Sequence, residues 1–169
     1  MQGLVKLYEI VANRQEFHYK KLDSDGNEII VVFRMFPAAD ENQIKTLNDG
    51  IENRLPIQYK EFLMQYNGAR LYDYDGLDGF QFLSCDEVIK ANNFAKATFE
   101  EDWDNNLIIF AKYIGESNYL AIDTSCKEEK VIDCYFEEMP REWNTIASNL
   151  DEFLRLLIES DGSKYWLKV

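Results

Sequence analysis

Two hydrophobic spacings alternate along this chain, and their order restricts the possible folds more than any other feature of the sequence. Residues 3–13 place apolar side chains at intervals of three and four, the spacing of an amphipathic helix. The same spacing returns in segments beginning near residues 40, 56, 84 and 148. Short apolar runs typical of strands lie between the helical segments, at residues 16–22, 28–36, 79–83, 107–111, 119–123 and 130–136. This order predicts a single α+β domain, in which a largely antiparallel, twisted sheet is flanked by about four to five helices.

Polar residues mark the starts of two of these helices and one of the turns. Asp40 with Gln43, and Ser84 with Glu87, have the spacing of capping boxes, in which two side chains satisfy the first N–H groups of a helix. The sequence DSDGN at 23–27 is typical of a tight turn between the two strands of a hairpin.

Proline and glycine indicate where other segments begin and end. Pro56 starts a helix that we expect to stop at Asn-Gly, residues 67–68, because both residues tolerate a left-handed backbone. We predict loops at 69–78 and 97–105, the second after a helix that ends near residue 94. Residues 164–169, KYWLKV, are expected to add a strand or to pack down as a tail.

Length and composition favour one ordered domain over residues 1–169. Of the 169 residues, 46% are hydrophobic and 14% aromatic, which argues against intrinsic disorder. No apolar run approaches the roughly 18 residues of a membrane span. The first residues lack a signal-peptide cleavage site, so we expect a cytoplasmic protein. Cys85, Cys126 and Cys134 form no CxxC pair, and we expect them to be free thiols.

The acidic residues are distributed unevenly. The net charge is −13, which opposes binding to nucleic acid or to an anionic membrane. Residues 1–70 hold ten acidic and nine basic residues, whereas residues 73–104 hold nine acidic and two basic ones. Some net charge keeps any protein soluble, but an uneven excess also suits a basic protein partner.

Residues 67–80, NGARLYDYDGLDGF, mix acids with glycines but do not match a known chemical site. An EF-hand loop that began at Asp73 would need glycine at position 6, where Asp78 stands. The stretch also lacks the lysine of a phosphate-binding P-loop, and the single histidine and three cysteines are too scattered for zinc. We therefore expect no metal, no cofactor and no catalytic residue, although 31 acidic residues leave an unrecognised carboxylate site open.

Aromatic residues flank both acidic loops, and two interpretations of them remain open. In the first interpretation the rings are core residues and the carboxylates solvate the surface. In the second, rings and carboxylates together bind a protein, with the rings as anchors and the charge steering the encounter. The second interpretation gives these candidate contact residues: Asp73, Tyr74, Asp75, Asp78, Glu100, Glu101, Asp102, Trp103 and Asp104.

The helical segment before residue 68 carries a string that resembles a known family. Leu-Pro at 55–56 is followed by Tyr59, by Phe-Leu at 62–63 and by Asn-Gly at 67–68, a pattern similar to that of the SUKH superfamily. This superfamily joins fungal cell-wall synthesis regulators to bacterial immunity proteins. Later segments match its order of strand, capped helix, paired strands and closing helix, so the resemblance covers roughly residues 36–160. Residues 1–35 are less typical, and the turn YIGESN has less glycine than is usual in the family.

The resemblance implies a non-enzymatic bacterial immunity protein that binds and neutralises a cognate toxin in the cytoplasm. Many toxins of this kind are nucleases. A nuclease domain is commonly basic, which agrees with the acidic charge found here. Two other functions stay open at this point, a regulatory or scaffolding adaptor of the same fold and an enzyme with an unrecognised carboxylate site. The sequence does not determine the oligomeric state.

Overall fold

The structure is a computed structural model that describes residues 2–52 and 54–167. Within these residues the chain forms five helices and eight strands. The helices are α1 Gln2–Val11, α2 Glu41–Gly50, α3 Ile57–Gln65, α4 Cys85–Phe99 and α5 Leu150–Glu159. The strands are β1 Glu16–Leu22, β2 Glu28–Met35, β3 Ala69–Tyr74, β4 Asp78–Phe82, β5 Leu107–Tyr113, β6 Tyr119–Asp123, β7 Val131–Cys134 and β8 Asn144–Ala147.

All eight strands belong to one antiparallel sheet, in which the spatial order is the chain order from β1 to β8. Each strand therefore pairs with the next one along the chain. Helices α2 and α3 lie between β2 and β3, and α4 lies between β4 and β5. The predicted single α+β domain with a largely antiparallel sheet is confirmed. The hairpin around residues 23–27 is also confirmed, since β1 and β2 pair from Glu16 with Arg34 to Leu22 with Glu28.

The predicted helix caps are confirmed. The carboxylate of Asp40 accepts the N–H of Gln43 at 2.8 Å, and the Gln43 side chain accepts the N–H of Asp40 in return. Ser84 and Glu87 form the same reciprocal box at the start of α4. Such caps satisfy N–H groups that have no partner inside the helix.

Aromatic side chains of β4 and β5 form the centre of the core. The rings of Phe82 and Phe110 lie 5.4 Å apart, Tyr59 of α3 lies 5.3 Å from Phe110, and Phe153 of α5 lies 6.3 Å from Phe110. Tilted or edge-to-face contacts at such distances add to the gain from burying the rings. Two helices distant in sequence are thus fixed on the same pair of strands.

The N-terminal helix is attached to the closing helix through one carboxylate. Asp151 accepts the N–H groups of Gln2, Gly3 and Leu4 at 2.9 to 3.1 Å, so it caps α1 from α5. A Cβ atom on Gly3 would lie 2.0 Å from the carbonyl oxygen of Asp151. Only glycine therefore allows the two helices to approach so closely.

Some predicted boundaries were wrong. Residues 69–74 form β3 and not a loop, and α4 continues to Phe99 and not to residue 94, because Val88, Ala95 and Phe99 extend its buried face. β8 has only four residues and was not predicted. Residues 165–167 form a short 3-10 turn, while positions 168 and 169 of the predicted tail lie outside the described residues.

Candidate interaction surface

The turn between β3 and β4 carries the first group of predicted contact residues. Asp75 and Gly76 have positive φ angles of 51° and 73°, and the N–H of Leu77 donates to the carbonyl of Tyr74 at 2.8 Å. Two positive φ angles and this hydrogen bond define a type I′ turn over residues 74–77, for which Asp-Gly is a preferred central pair. Asp75 and Asp78 are exposed, and Tyr74 is 38% exposed. The turn therefore displays two carboxylates beside a tyrosine ring.

Asp73 lies on β3 and is buried. Its Oδ2 atom is 3.1 Å from Nη1 of Arg70 and 3.5 Å from Nη1 of Arg34, and its Oδ1 atom accepts the N–H of Gly76 at 2.8 Å. The carboxylate holds two strands and the turn together. Asp73 therefore leaves the set of surface contact residues, because its charge is neutralised inside the sheet.

The second group of predicted contact residues surrounds a buried ring. Glu100–Asp102 form a 3-10 turn after α4, and the exposed side chains in this segment are those of Glu100, Glu101, Asp102 and Asp104. Trp103 is 7% exposed and stacks on Phe99, with ring centroids 6.4 Å apart. The indole belongs to the hydrophobic core and is not an exposed anchor.

The structure does not bring the two acidic groups together. The first group lies beside the end of β5, because Phe80 of β4 pairs with Tyr113. The second group precedes Leu107, where β5 begins. A strand of this length extends about 20 Å between its ends. The two groups are therefore separate surface regions.

Two exposed residues near the first group were not predicted. Leu77, at the tip of the turn, is 70% exposed. Its carbonyl packs against the next turn, since a Cβ atom on Gly115 would lie 2.2 Å from the Leu77 oxygen. Glu116 follows in that turn and forms an ion pair with Lys164. A leucine between acids in a turn was the signal that could have identified Leu77.

A row of polar side chains crosses the sheet on the face that Asp73 occupies. The strand register pairs each member of the row with the next, from β1 to β6: Glu16, Arg34, Arg70, Gln81, Lys112 and Tyr119. Directly paired residues of an antiparallel sheet lie on the same face. The side chains of Arg34 and Arg70 are 43% and 36% exposed. This face thus carries three cationic side chains, although the protein is strongly acidic.

Two concavities of about 690 Å³ and 430 Å³ lie over this row. They share Arg70 and Gly76 and are therefore adjacent, and we call the two together the sheet trough. One side of the sheet trough extends to Ile30, which is half exposed, and the other extends to Lys112. At its outer edge, hydrogen bonds from His18 and Arg34 lower the pKa of Glu16.

A larger concavity lies elsewhere, between α2 and α3. It has a volume of about 820 Å³ and includes the exposed side chains of Ile57 and Met64. None of the predicted contact residues lines it, so size alone does not identify the functional surface here.

The remaining observations concern metals, thiols and membranes. In the part of the chain that the structure describes, no three His, Cys, Asp or Glu side chains are grouped as a metal site. Cys85, Cys126 and Cys134 are free thiols, and burial raises the pKa of Cys85 to about 11. None of the helices in residues 2–52 and 54–167 combines the length and apolar character needed to cross a membrane.

A family model, that of the SMI1/KNR4 family (SUKH-1), matches residues 38–156. The chain belongs to this family. The match includes α2, α3 and the sheet from β3 to β8, as well as the first half of α5. It confirms the resemblance to the SUKH superfamily.

The chain is also similar to the uncharacterized protein YnaB of Bacillus subtilis (strain 168). It is 22% identical over 136 residues, which cover 79% of this chain and 86% of the relative. The aligned length corresponds to most of both proteins.

The residues of the SUKH-1 motif have structural roles. The Tyr59 hydroxyl is fully buried, donates to the carbonyl of Leu83 and lies 3.1 Å from the carbonyl of Phe110. α3 ends at Gln65, and the Asn67 side chain accepts the N–H of Cys85 at 2.8 Å. Asn67 thus links the end of α3 to the start of α4, a role beyond the predicted helix stop.

Proposed function

We propose that this protein is a bacterial immunity protein, which binds a cognate toxin domain in the cytoplasm and neutralises it by covering its active site or substrate groove. The protein acts as a stoichiometric inhibitor and carries out no catalysis of its own. Its partner is a basic protein domain, with nuclease domains the leading class. Nucleic acid and membranes are not among its partners.

Membership of the SUKH-1 family is the single observation that carries this proposal. The family includes bacterial immunity proteins, as the sequence resemblance implied. The acidity of the chain adds independent support. A nuclease holds phosphate with basic residues, and a protein of net charge −13 attracts such a surface.

The turn between β3 and β4 supplies the surface that we propose for the first contact. It places Asp75 and Asp78 in solvent, on either side of the exposed Leu77, with the Tyr74 ring beside them. The carboxylates steer a basic partner, and the Leu77 side chain and the Tyr74 ring provide apolar surface that the partner buries. A hairpin turn loses little conformational entropy on binding, because its backbone is already ordered.

The acids of residues 100–104 form a second proposed contact region, with Trp103 fixing the segment from the core. The two regions lie at opposite ends of β5, so a partner that covers one must extend about 20 Å to reach the other. An interface of ordinary size, about 800 Å² on each partner, can cover that distance.

Co-expression tests the proposal directly. The proposal predicts a toxin gene next to this one. The toxin domain that it encodes is expressed under an inducible promoter, with and without the protein, and survival and co-purification are measured. A matched vector that carries the chain with a stop codon at position 59 controls for the cost of expression. We expect survival and a co-purifying complex only with the intact chain.

Continued killing in the presence of folded, soluble protein contradicts the proposal. That outcome favours the regulatory adaptor, which needs a cellular partner and no toxin. An enzymatic function predicts a different result, since one Asp→Asn change in a catalytic pair abolishes activity, whereas an interface loses affinity in graded steps.

A further inference from the structure

The sheet trough has a cationic floor in an acidic protein. Arg34 and Arg70 pair directly across β2 and β3, and like charges in that position repel each other. Asp73 neutralises part of this charge from the same face of the sheet, and Glu16 of β1 pairs with Arg34. Lys112 lies two strands from Arg70, about 10 Å between backbones, and its side chain forms no ion pair or hydrogen bond with another described residue.

A bulge in β3 produces this arrangement. Arg70 and Asp73 are three residues apart, and in a regular strand such residues lie on opposite faces. Tyr72 has a positive φ of 54°, and the register of β3 shifts at this point. The extra residue places Asp73 on the same face as Arg70, where Arg34 also reaches it. Bulges commonly reorient side chains in this way beside functional sites.

The margin of the sheet trough has the opposite charge. Asp75 lines it, and Asp78 follows in the same turn. Neither carboxylate forms an ion pair with a residue in 2–52 or 54–167. The trough therefore combines a cationic centre with an acidic margin.

A nucleic acid does not fit this pattern, because its phosphates would meet the margin acids and a net charge of −13. A protein surface with a carboxylate centre and a basic margin does fit it. Active sites of metal-dependent nucleases have this composition, since carboxylates hold the metal ions and basic residues hold the phosphates.

We propose that the sheet trough binds the active-site face of a metal-dependent nuclease toxin, with Arg70 and Lys112 receiving its metal-binding carboxylates and the turn of Asp75 and Asp78 contacting its basic margin. This inference rests on the proposed function. It specifies which surface of the protein binds and what chemistry the partner's surface has. The protein then inhibits by occupying the metal ligands as well as by covering the substrate groove.

The first experiment needs no toxin. Sodium succinate, a dicarboxylate probe, is titrated into ¹⁵N-labelled protein while the Nε–H signal of Arg70 is followed by NMR. We expect a saturable shift, and a dissociation constant raised by about five-fold in Lys112→Gln. A Lys60→Gln control on α3 loses the same charge and leaves the constant unchanged. The absence of a shift at Arg70, or binding of a 12-base-pair DNA duplex at this face, overturns the proposal.

The second experiment uses the toxin domain of the co-expression test. Isothermal titration measures its affinity for the wild type, for Lys112→Glu and for the matched control Lys60→Glu. Lys112 is chosen because its side chain has no ion pair or hydrogen bond with residues 2–52 or 54–167, so we expect its reversal to leave the fold intact. We expect Lys112→Glu to weaken binding by about ten-fold or more, and Lys60→Glu to have less than about a two-fold effect.

The two experiments separate this inference from the proposed function. Equal affinities of Lys112→Glu and the wild type overturn the trough as the binding surface, while toxin binding itself still supports the immunity function. A toxin domain that does not bind the wild type contradicts the immunity function. In that case the succinate titration alone decides whether the trough recognises carboxylates.

Discussion

Nη1 of Arg70 lies 3.1 Å from Oδ2 of Asp73, and both side chains stand on the same face of β3 although three residues separate them. The bulge at Tyr72 makes this contact possible. The carboxylate also accepts the N–H of Gly76 and lies beside Arg34, so one buried group joins two strands and the turn that follows.

We predict that Asp73→Asn destabilises the protein by about 1–3 kcal/mol. The amide keeps an acceptor for Gly76 but leaves Arg70 without a counter-charge and Arg34 with Glu16 alone. The loss is below that of a fully buried pair, because both guanidinium groups reach solvent. Urea unfolding followed by tryptophan fluorescence measures the change. Asp75→Asn, an exposed neighbour, is the control and should stay within about 0.5 kcal/mol. Equal midpoints for the two variants contradict this role of Asp73.

Tyr59→Phe tests the structural role of the family motif. The change keeps the ring in the core and removes the hydroxyl, which hydrogen-bonds to the carbonyls of Leu83 and Phe110. We expect a loss of about 1–2 kcal/mol in the free energy of unfolding, because a buried carbonyl is left without a donor. Tyr135→Phe removes an exposed hydroxyl and serves as the control. If both variants unfold at the same urea concentration, the buried hydrogen bond makes no net contribution to the free energy of unfolding.

Alkaline pH should unfold the protein cooperatively. Burial raises the pKa of Tyr72 and, together with Asp133, that of Tyr113, while burial raises the pKa of Tyr8 to about 12. In the unfolded chain these phenols ionise near pH 10, at a lower pH than in the folded chain. Their contribution to stability is therefore complete below pH 10 and is lost as pH rises, by about 1.4 kcal/mol per pH unit for each phenol.

Tyrosine absorbance at 295 nm and urea midpoints between pH 8 and 11.5 measure this effect. Tyr72→Phe removes one of the phenols without removing its ring, so the loss of stability above pH 10 should be less steep than in the wild type. An identical slope for the two proteins contradicts the assignment of Tyr72.

Charge reversal at the turn tests electrostatic steering. We expect Asp75→Lys with Asp78→Lys to slow association with a basic toxin by about ten-fold at low salt, and to reduce the dependence of the rate on salt. Stopped-flow fluorescence between 20 and 300 mM NaCl measures both effects. Glu100→Lys with Glu101→Lys changes the net charge equally at the other end of β5. Equal slowing by both pairs shows that net charge, and not the turn, directs the encounter.

Much of the fold could be predicted because its signals are local. Capping boxes at Asp40 and Ser84, the turn at residues 23–27 and the spacing of three and four each involve a few neighbouring residues. Boundaries were less predictable. The helix α4 passes into the acidic segment because Ala95 and Phe99 extend its buried face, and packing of this kind is not evident from the polar residues around it.

The candidate site could be predicted only in part. The exposed turn at residues 75–78 follows from its Asp-Gly pair, whereas the burial of Asp73 depends on a bulge that reverses the alternation expected of a strand. The cationic row could not be predicted, because Arg34, Arg70 and Lys112 are far apart in sequence and meet only through the register of four strands.

Inhibition in a purified system tests the central claim most directly. The toxin domain that the proposed function predicts is held at a fixed concentration with a fluorescent nucleic-acid substrate, and the purified protein is added in steps. We predict that the rate of hydrolysis falls linearly and reaches zero at one molecule of protein per molecule of toxin. Full toxin activity in the presence of a ten-fold molar excess of folded protein contradicts the account.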